Sequence, residues 1–414
     1  MNMTFRSLRF ILIYVILFLS YKYFVADKFS YMGFEDNLNF TRFIFSVLFV
    51  FLSTITFEIV KDSFTRFIIA LLFVFVTAPN MVMYSFMGGD IRIPVWSFLC
   101  IPITSVILNL FPPIRVPSIS SKKTEYLMWA LLILCLAPVI SAHGVKFNLN
   151  AFYFDVYDIR RESRENNTFF SVYGYFWLAK VICPIGIIFA LERKKAFMLI
   201  IFSMILMYLF MTTGHKSVFL TVLIIMGLYF GKPCYESKVN YFLSACLLLF
   251  ISVRVVSYFS DFILPESLLV RRLFFIPALL NIFYFDFFDN NYVYYSSSYL
   301  SYFMDYPYSA TIPQVIGQHF FNSDEMSANN GYLSDGFANF GSVGVFFNVL
   351  ISSLVIKIFK DYNVPVKYSG LIFVTFYAIQ GSAMSTMLFT HGGLLLVLLV
   401  PFVLKPKNYD KEVC

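Results

Sequence analysis

FSVYGYFWLAKVICPIGIIFAL, residues Phe170–Leu191, carries a single charged side chain, Lys180, over a length that can cross a bilayer. About 20 apolar residues in a helix cover ~30 Å of hydrocarbon. Runs of this kind recur at Phe10–Val25, Phe43–Val60, Phe67–Phe86, Pro94–Leu110, Tyr126–Ser141, Ala196–Met211, Val218–Phe230 and Tyr241–Val256. They resume at Val343–Lys357, Ser369–Met387 and Gly392–Val403. The reading is an all-α, polytopic integral membrane protein of about twelve spans, a single transmembrane domain over residues 1–414. Composition agrees: 59% of residues are hydrophobic, 13% are charged, and mean hydropathy is +0.75. A soluble chain is roughly a quarter charged. The first run could pass for a signal peptide, but no small-residue cleavage site follows it, so it reads as a retained span.

Charge orients the spans. The loops that fall on one side hold Arg9, Lys61, Arg66, Lys194, Lys195, Lys238, Lys360 and Lys367, whereas those on the other side are acidic overall. Positive-inside bias puts the basic side, and both termini, in the cytoplasm. Two loops on the outer side exceed a turn, residues 143–168 and 258–341. The inward loops are too short for a nucleotide-binding domain, and no phosphate-binding glycine loop or dinucleotide fingerprint occurs, which argues against ATP hydrolysis and nicotinamide redox chemistry. None of the cysteines falls in an outer loop, so no disulfide framework is implied. No Cys/His spacing suggests a metal, and no cofactor is called for.

Against an acidic outer background, basic residues mark candidate chemistry. In FYFDVYDIRRESR, Phe152–Arg164, a helix puts Phe152, Val156 and Ile159 on one face and stacks Arg160 on Arg164 on another. Two guanidiniums one turn apart suit a phosphate or diphosphate, through the planar fork that arginine offers oxyanions. The competing reading is a solvated helix whose Asp155, Asp158, Glu162 and Glu165 neutralise those arginines. Lys180 is costly at mid-span, about 3 kcal/mol on insertion scales, and so is expected to face a polar cavity, with Pro184 free to bend the helix. In TTGHKS, Thr212–Ser217, Gly214 frees the backbone, Ser217 is a candidate helix cap, and His215 and Lys216 form a basic pair at headgroup height. Arg254 reads as an anchor that snorkels. The large loop offers Arg271 and Arg272 ahead of an aromatic run too interrupted to span, expected to lie at the interface or against the bundle. It also holds His319 and Asp335. Histidine titrates near neutrality and serves as a general base.

IRRESR, TTGHKS, RRLFFIP and ANNGYLSDGFANFGSVG (Ala328–Gly344), together with the topology, resemble the O-antigen polymerase (Wzy) family of bacterial surface-polysaccharide synthesis. The resemblance implies a GT-C-like membrane glycosyltransferase with two enlarged periplasmic loops in the inner membrane. It implies glycosyl transfer between undecaprenyl-diphosphate-linked oligosaccharides, with undecaprenyl diphosphate leaving. Arg160, Arg164, Lys180, Lys216, Arg271 and Arg272 would contact diphosphate and headgroup, and His319 or Asp335 would take the acceptor's proton. A flippase and a chain-length regulator are the implied protein partners, beside membrane lipids and without nucleic acid. A flippase for the same lipid-linked unit, or a membrane O-acyltransferase acting on the glycan, are the competing readings.

Overall fold

A computed structural model describes residues 5–112, 121–145, 148–152, 157–231, 233–260, 262–298 and 300–403. The described residues are helical and contain no strand. Ten helices are long and apolar enough to cross a membrane, and two shorter apolar ones, Lys216–Tyr229 and Gly393–Val403, accompany them. The chain forms two compact units. One comprises Met1–Phe111, Tyr235–Leu354 and Ile379–Met384, and the other Pro112–Cys234, Val355–Ala378 and Ser385–Cys414.

In the first unit, polar contacts tie the helix ends into two levels. Arg9 donates to the Asn240 carbonyl at 3.2 Å, and Arg66 pairs with Glu236 at 3.0 Å. The starts of Ser7–Lys28, Ser63–Met87 and Tyr235–Phe259 therefore share one basic end. At the opposite end Asn39 caps Phe40–Ile59 through the Arg42 N–H, and its own N–H donates to the Ser85 carbonyl. Arg92, at the head of Arg92–Leu110, pairs there with Asp90 and with Asp289.

Leu264–Phe288 is one continuous 25-residue helix, which corrects the expectation of an interrupted run. Both its ends nevertheless find partners at one end of the unit. Glu266 meets Arg254 near the end of Tyr235–Phe259, and Arg271 lies over the Phe29 ring at 4.1 Å. Arg254 thus has a partner rather than a snorkelling position. Phe274 then stacks on Phe75 at 5.1 Å, about 18 Å below the Met87 end at 1.5 Å per residue. Asn281 donates to Asn80 at 3.1 Å, nearer that end, and Asp289 finishes on Arg92. A π-helical segment, Ser267–Phe275, and Pro277 in the first turn of Ile276–Phe288 are the two places where this helix can bend.

The helix Tyr332–Asp361 is likewise two pieces, because Phe340 and Gly341 leave helical geometry, with Gly341 at φ +58°. The pieces fold against each other. A Cβ on Gly344 would come within 2.0 Å of the Gly336 carbonyl, and Asn348 donates to the Tyr332 carbonyl. The apolar span begins only after the break, close to the expected Val343.

In the second unit the long helices are Lys123–His143, Phe169–Glu192 and Ala196–Thr213. Gly174 lets the first two touch backbone to backbone, since a Cβ there would sit 2.4 Å from the Cys135 carbonyl. Thr168 starts Phe169–Trp177 with a capping box to Ser171. Ser369–Met387 is no unbroken span: helix stops at Gln380, and a π-helical turn follows at Thr386–Thr390. Cys100, Cys135, Cys183 and Cys246 are free, but Cys234 is disulfide-bonded, correcting the expectation of no bridge. Cysteine spacing cannot say which segment approaches which in space.

Candidate functional site: a cationic cleft

Arg160 and Arg164 lie on the helix Tyr157–Glu165, one turn apart as the sequence indicates; Asp155 and Val156 lie outside the described residues. Asp158 pairs with Arg161 at 2.8 Å, on a face where both are exposed. Arg160 donates instead to the Gly214 carbonyl at 3.2 Å. That carbonyl is available because Gly214 ends Ala196–Thr213 in the left-handed region, φ +64°, where glycine costs least. The following helix starts at Lys216 with His215 as its cap residue, so Ser217 is not the cap.

The two segments enclose a cleft with a cavity volume of about 80 Å³, several times what one water molecule occupies. Arg160, Arg164 and His215 supply its polar side with Ser163, Asn167 and Thr213, while Val172, Tyr175 and Phe176 form the other wall. Among the described residues that line it there is no carboxylate. The Tyr175 and Thr213 hydroxyls stand 2.8 Å apart, and the His215 N–H donates to the same Thr213 oxygen at 3.4 Å. His215 lies outside the spans, with its imidazole open to the cleft mouth. Its pKa is held down at about 4, first by the loss of water around the ring and then by the charges of Arg160, Lys180 and Arg164. The ring is therefore neutral near pH 7, and the guanidiniums carry the cleft's charge.

Lys180 is in the π-helical turn Leu178–Ile182, just before Pro184 in the first turn of the next helix. Its Nζ is 3.0 Å from His391 Nδ1 and 5.5 Å from the centre of the Phe176 ring. Phe176 also packs on His391, ring centres 4.5 Å apart, so one aromatic side chain borders both the cleft and the Lys180–His391 pair. Sequence reasoning named His215 with Lys216 as a basic pair at this turn and gave His391 no specific role. Lys216 is not among the cleft-lining residues. The signal for His391 was weak: a histidine some 210 positions from Lys180, in a segment read as ordinary span end.

The other sequence-based candidates belong to the first unit. The Arg271 guanidinium is taken up by the Ser267 hydroxyl, the Met32 sulfur and the Phe29 ring, while Arg272 is exposed. His319, on Ile312–Phe321, is exposed and packs on Phe287 and Phe320. Asp335 is 6% exposed and holds donors from the Tyr295 hydroxyl, the Asn348 amide and the Met384 N–H on one oxygen, and from Asn339 on the other. Those bonds suit a carboxylate that fixes its surroundings better than one awaiting a substrate proton. Beside it run Asn80, Asn281, Asn330 and Ser334, a buried polar chain linked at 2.6–3.1 Å. Among the described residues no group of three or more His, Cys, Asp or Glu is placed to hold a metal ion. Compared with protein-family models, with curated proteins and with solved structures, the chain matches none.

Proposed function

We propose that the chain is a membrane glycosyltransferase of the O-antigen polymerase type, with both termini cytoplasmic in a bacterial inner membrane and a GT-C-like architecture. It would join oligosaccharide repeat units carried on undecaprenyl diphosphate at the periplasmic face. The observation that carries this reading is the cleft that gathers Arg160, Arg164 and neutral His215 around one cavity. Outside the cytoplasm no nucleotide sugar is supplied, so the energy must already reside in a glycosyl–diphosphate bond. The acceptor hydroxyl attacks the anomeric carbon while the carbon–oxygen bond to diphosphate breaks; the electron pair leaves on the diphosphate, and the hydroxyl proton passes to that leaving diphosphate or to water. Catalysis then depends on positioning and on stabilising that developing charge, which two pre-placed guanidiniums do without reorganising.

Deletion of the gene should leave surface lipopolysaccharide with a single repeat unit and no ladder, restored by complementation. A normal ladder would overturn the reading. Lys180, a cation within a span, favours a second reading as a flippase for the same lipid-linked unit. A flippase-null strain would instead accumulate precursor on the cytoplasmic leaflet.

A further inference from the structure

We propose that Lys180 and His391 form a second, inner oxyanion seat beneath the arginine cleft. On this proposal a lipid-linked diphosphate binds with its outer phosphate at Arg160 and Arg164 and its lipid-side phosphate at Lys180. The inference rests on the cleft being a diphosphate site, and adds which way the ligand points.

Three observations carry it. Two buried or half-buried lysines of this unit meet carboxylates: Lys357 bonds Asp361 at 2.5 Å, and Lys195 pairs with Glu125. Lys180, within a span, meets His391 and the Phe176 ring instead. A cation within a span is costly unless an anion or a polar cavity meets it. Second, both members of the pair follow from departures of the same kind, π-helical turns at Leu178–Ile182 and Thr386–Thr390. Such turns recur at functional sites. The His391 turn is clamped to the Lys180 helix, with Trp177 Nε1 donating to the Phe389 carbonyl at 2.9 Å. Third, Phe176 and Lys180 stand one turn apart, and Phe176 lines the cleft. The lysine stem has four flexible carbons, so its ammonium lifts past that ring to a phosphate held above. Sugar then lies toward Arg164 and Asn167, and the polyprenyl tail runs down along the helix.

The test uses the full chain in nanodiscs of neutral lipid, with farnesyl diphosphate and farnesyl monophosphate as probes. Wild type should prefer the diphosphate about tenfold or more, as expected for one added charge-assisted contact. Lys180→Met should erase the preference while retaining monophosphate affinity, and Lys180→Arg should keep it. Lys180→Gln, which preserves a polar tip for His391, carries the same expectation as Lys180→Met and guards against misfolding. Equal affinity for both probes in wild type, or a preference that survives loss of the lysine charge, overturns the inner seat. The polymerase reading stands or falls separately. A normal ladder in the null strain alongside a Lys180-dependent preference sinks that reading and leaves the seat; a lost ladder without the preference does the reverse.

Discussion

At the scale of single residues, the two neighbouring arginines of one helix have opposite fates. Arg160 turns onto the Gly214 carbonyl and lines the cleft, whereas Arg161 faces solvent with Asp158. Arg160→Gln should weaken diphosphate binding about tenfold or more, because charge-assisted bonds are the strong ones, while Arg161→Gln should change it less than about twofold, as for an exposed pair. Isothermal titration of the purified chain with farnesyl diphosphate separates the two, and equal losses would refute the assignment. His215 makes a pH prediction. Its folded pKa, about 4, lies below the ordinary 6.5, so between those values the unfolded chain binds the proton more readily. The stability contributed by the neutral ring is full above about pH 6.5 and is lost as pH falls toward 4. Thermal melts should therefore fall more steeply over that window for wild type than for His215→Gln. The pairing of Arg160 with Arg164 was legible from i, i+4 spacing. The role of His215 was not, because its neutrality depends first on packing that removes water from the ring and then on charges brought by Arg160, Lys180 and Arg164.

At the scale of elements, the first unit holds a run that meets the length rule for a span yet has polar partners at one end of the unit only. Leu264–Phe288 is long enough, but Glu266, Arg271 and Asp289 each find partners at the same end of the unit. The break at Phe340–Gly341 works differently. It lets Tyr332–Asn339 fold back on the span that follows, with Gly336 and Gly344 permitting backbone contact. Gly344→Ala would force a Cβ to 2.0 Å from a carbonyl oxygen that no side-chain rotation can move. It should destabilise the chain by about 1–3 kcal/mol or more, lowering the melting temperature in detergent. Gly227→Ala, where a Cβ meets nothing within 4 Å, should be near neutral. The glycines were visible in ANNGYLSDGFANFGSVG; that two of them face each other required the hairpin.

For the whole molecule, sidedness is the testable claim. Phe262→Cys and Phe303→Cys, both at exposed positions flanking Leu264–Phe288, should react with a membrane-impermeant thiol reagent in intact spheroplasts, while Lys61→Cys should react only after permeabilisation. If Phe262→Cys is labelled and Phe303→Cys is protected, the helix crosses and the topology inverts beyond it. The sequence by itself determined that the chain is a bundle of membrane helices, which loops are basic and which outer segments are enlarged. Those properties follow from hydropathy and charge summed over windows, and need no knowledge of neighbours. Only the tertiary structure decided that both ends of Leu264–Phe288 find partners at one end of the first unit, that Asp335 is enclosed by donors, and that His215 and His391 join Arg160, Arg164 and Lys180. Each of those depends on side chains tens to hundreds of residues apart meeting within hydrogen-bond or ring-contact distance, and no local pattern encodes such meetings.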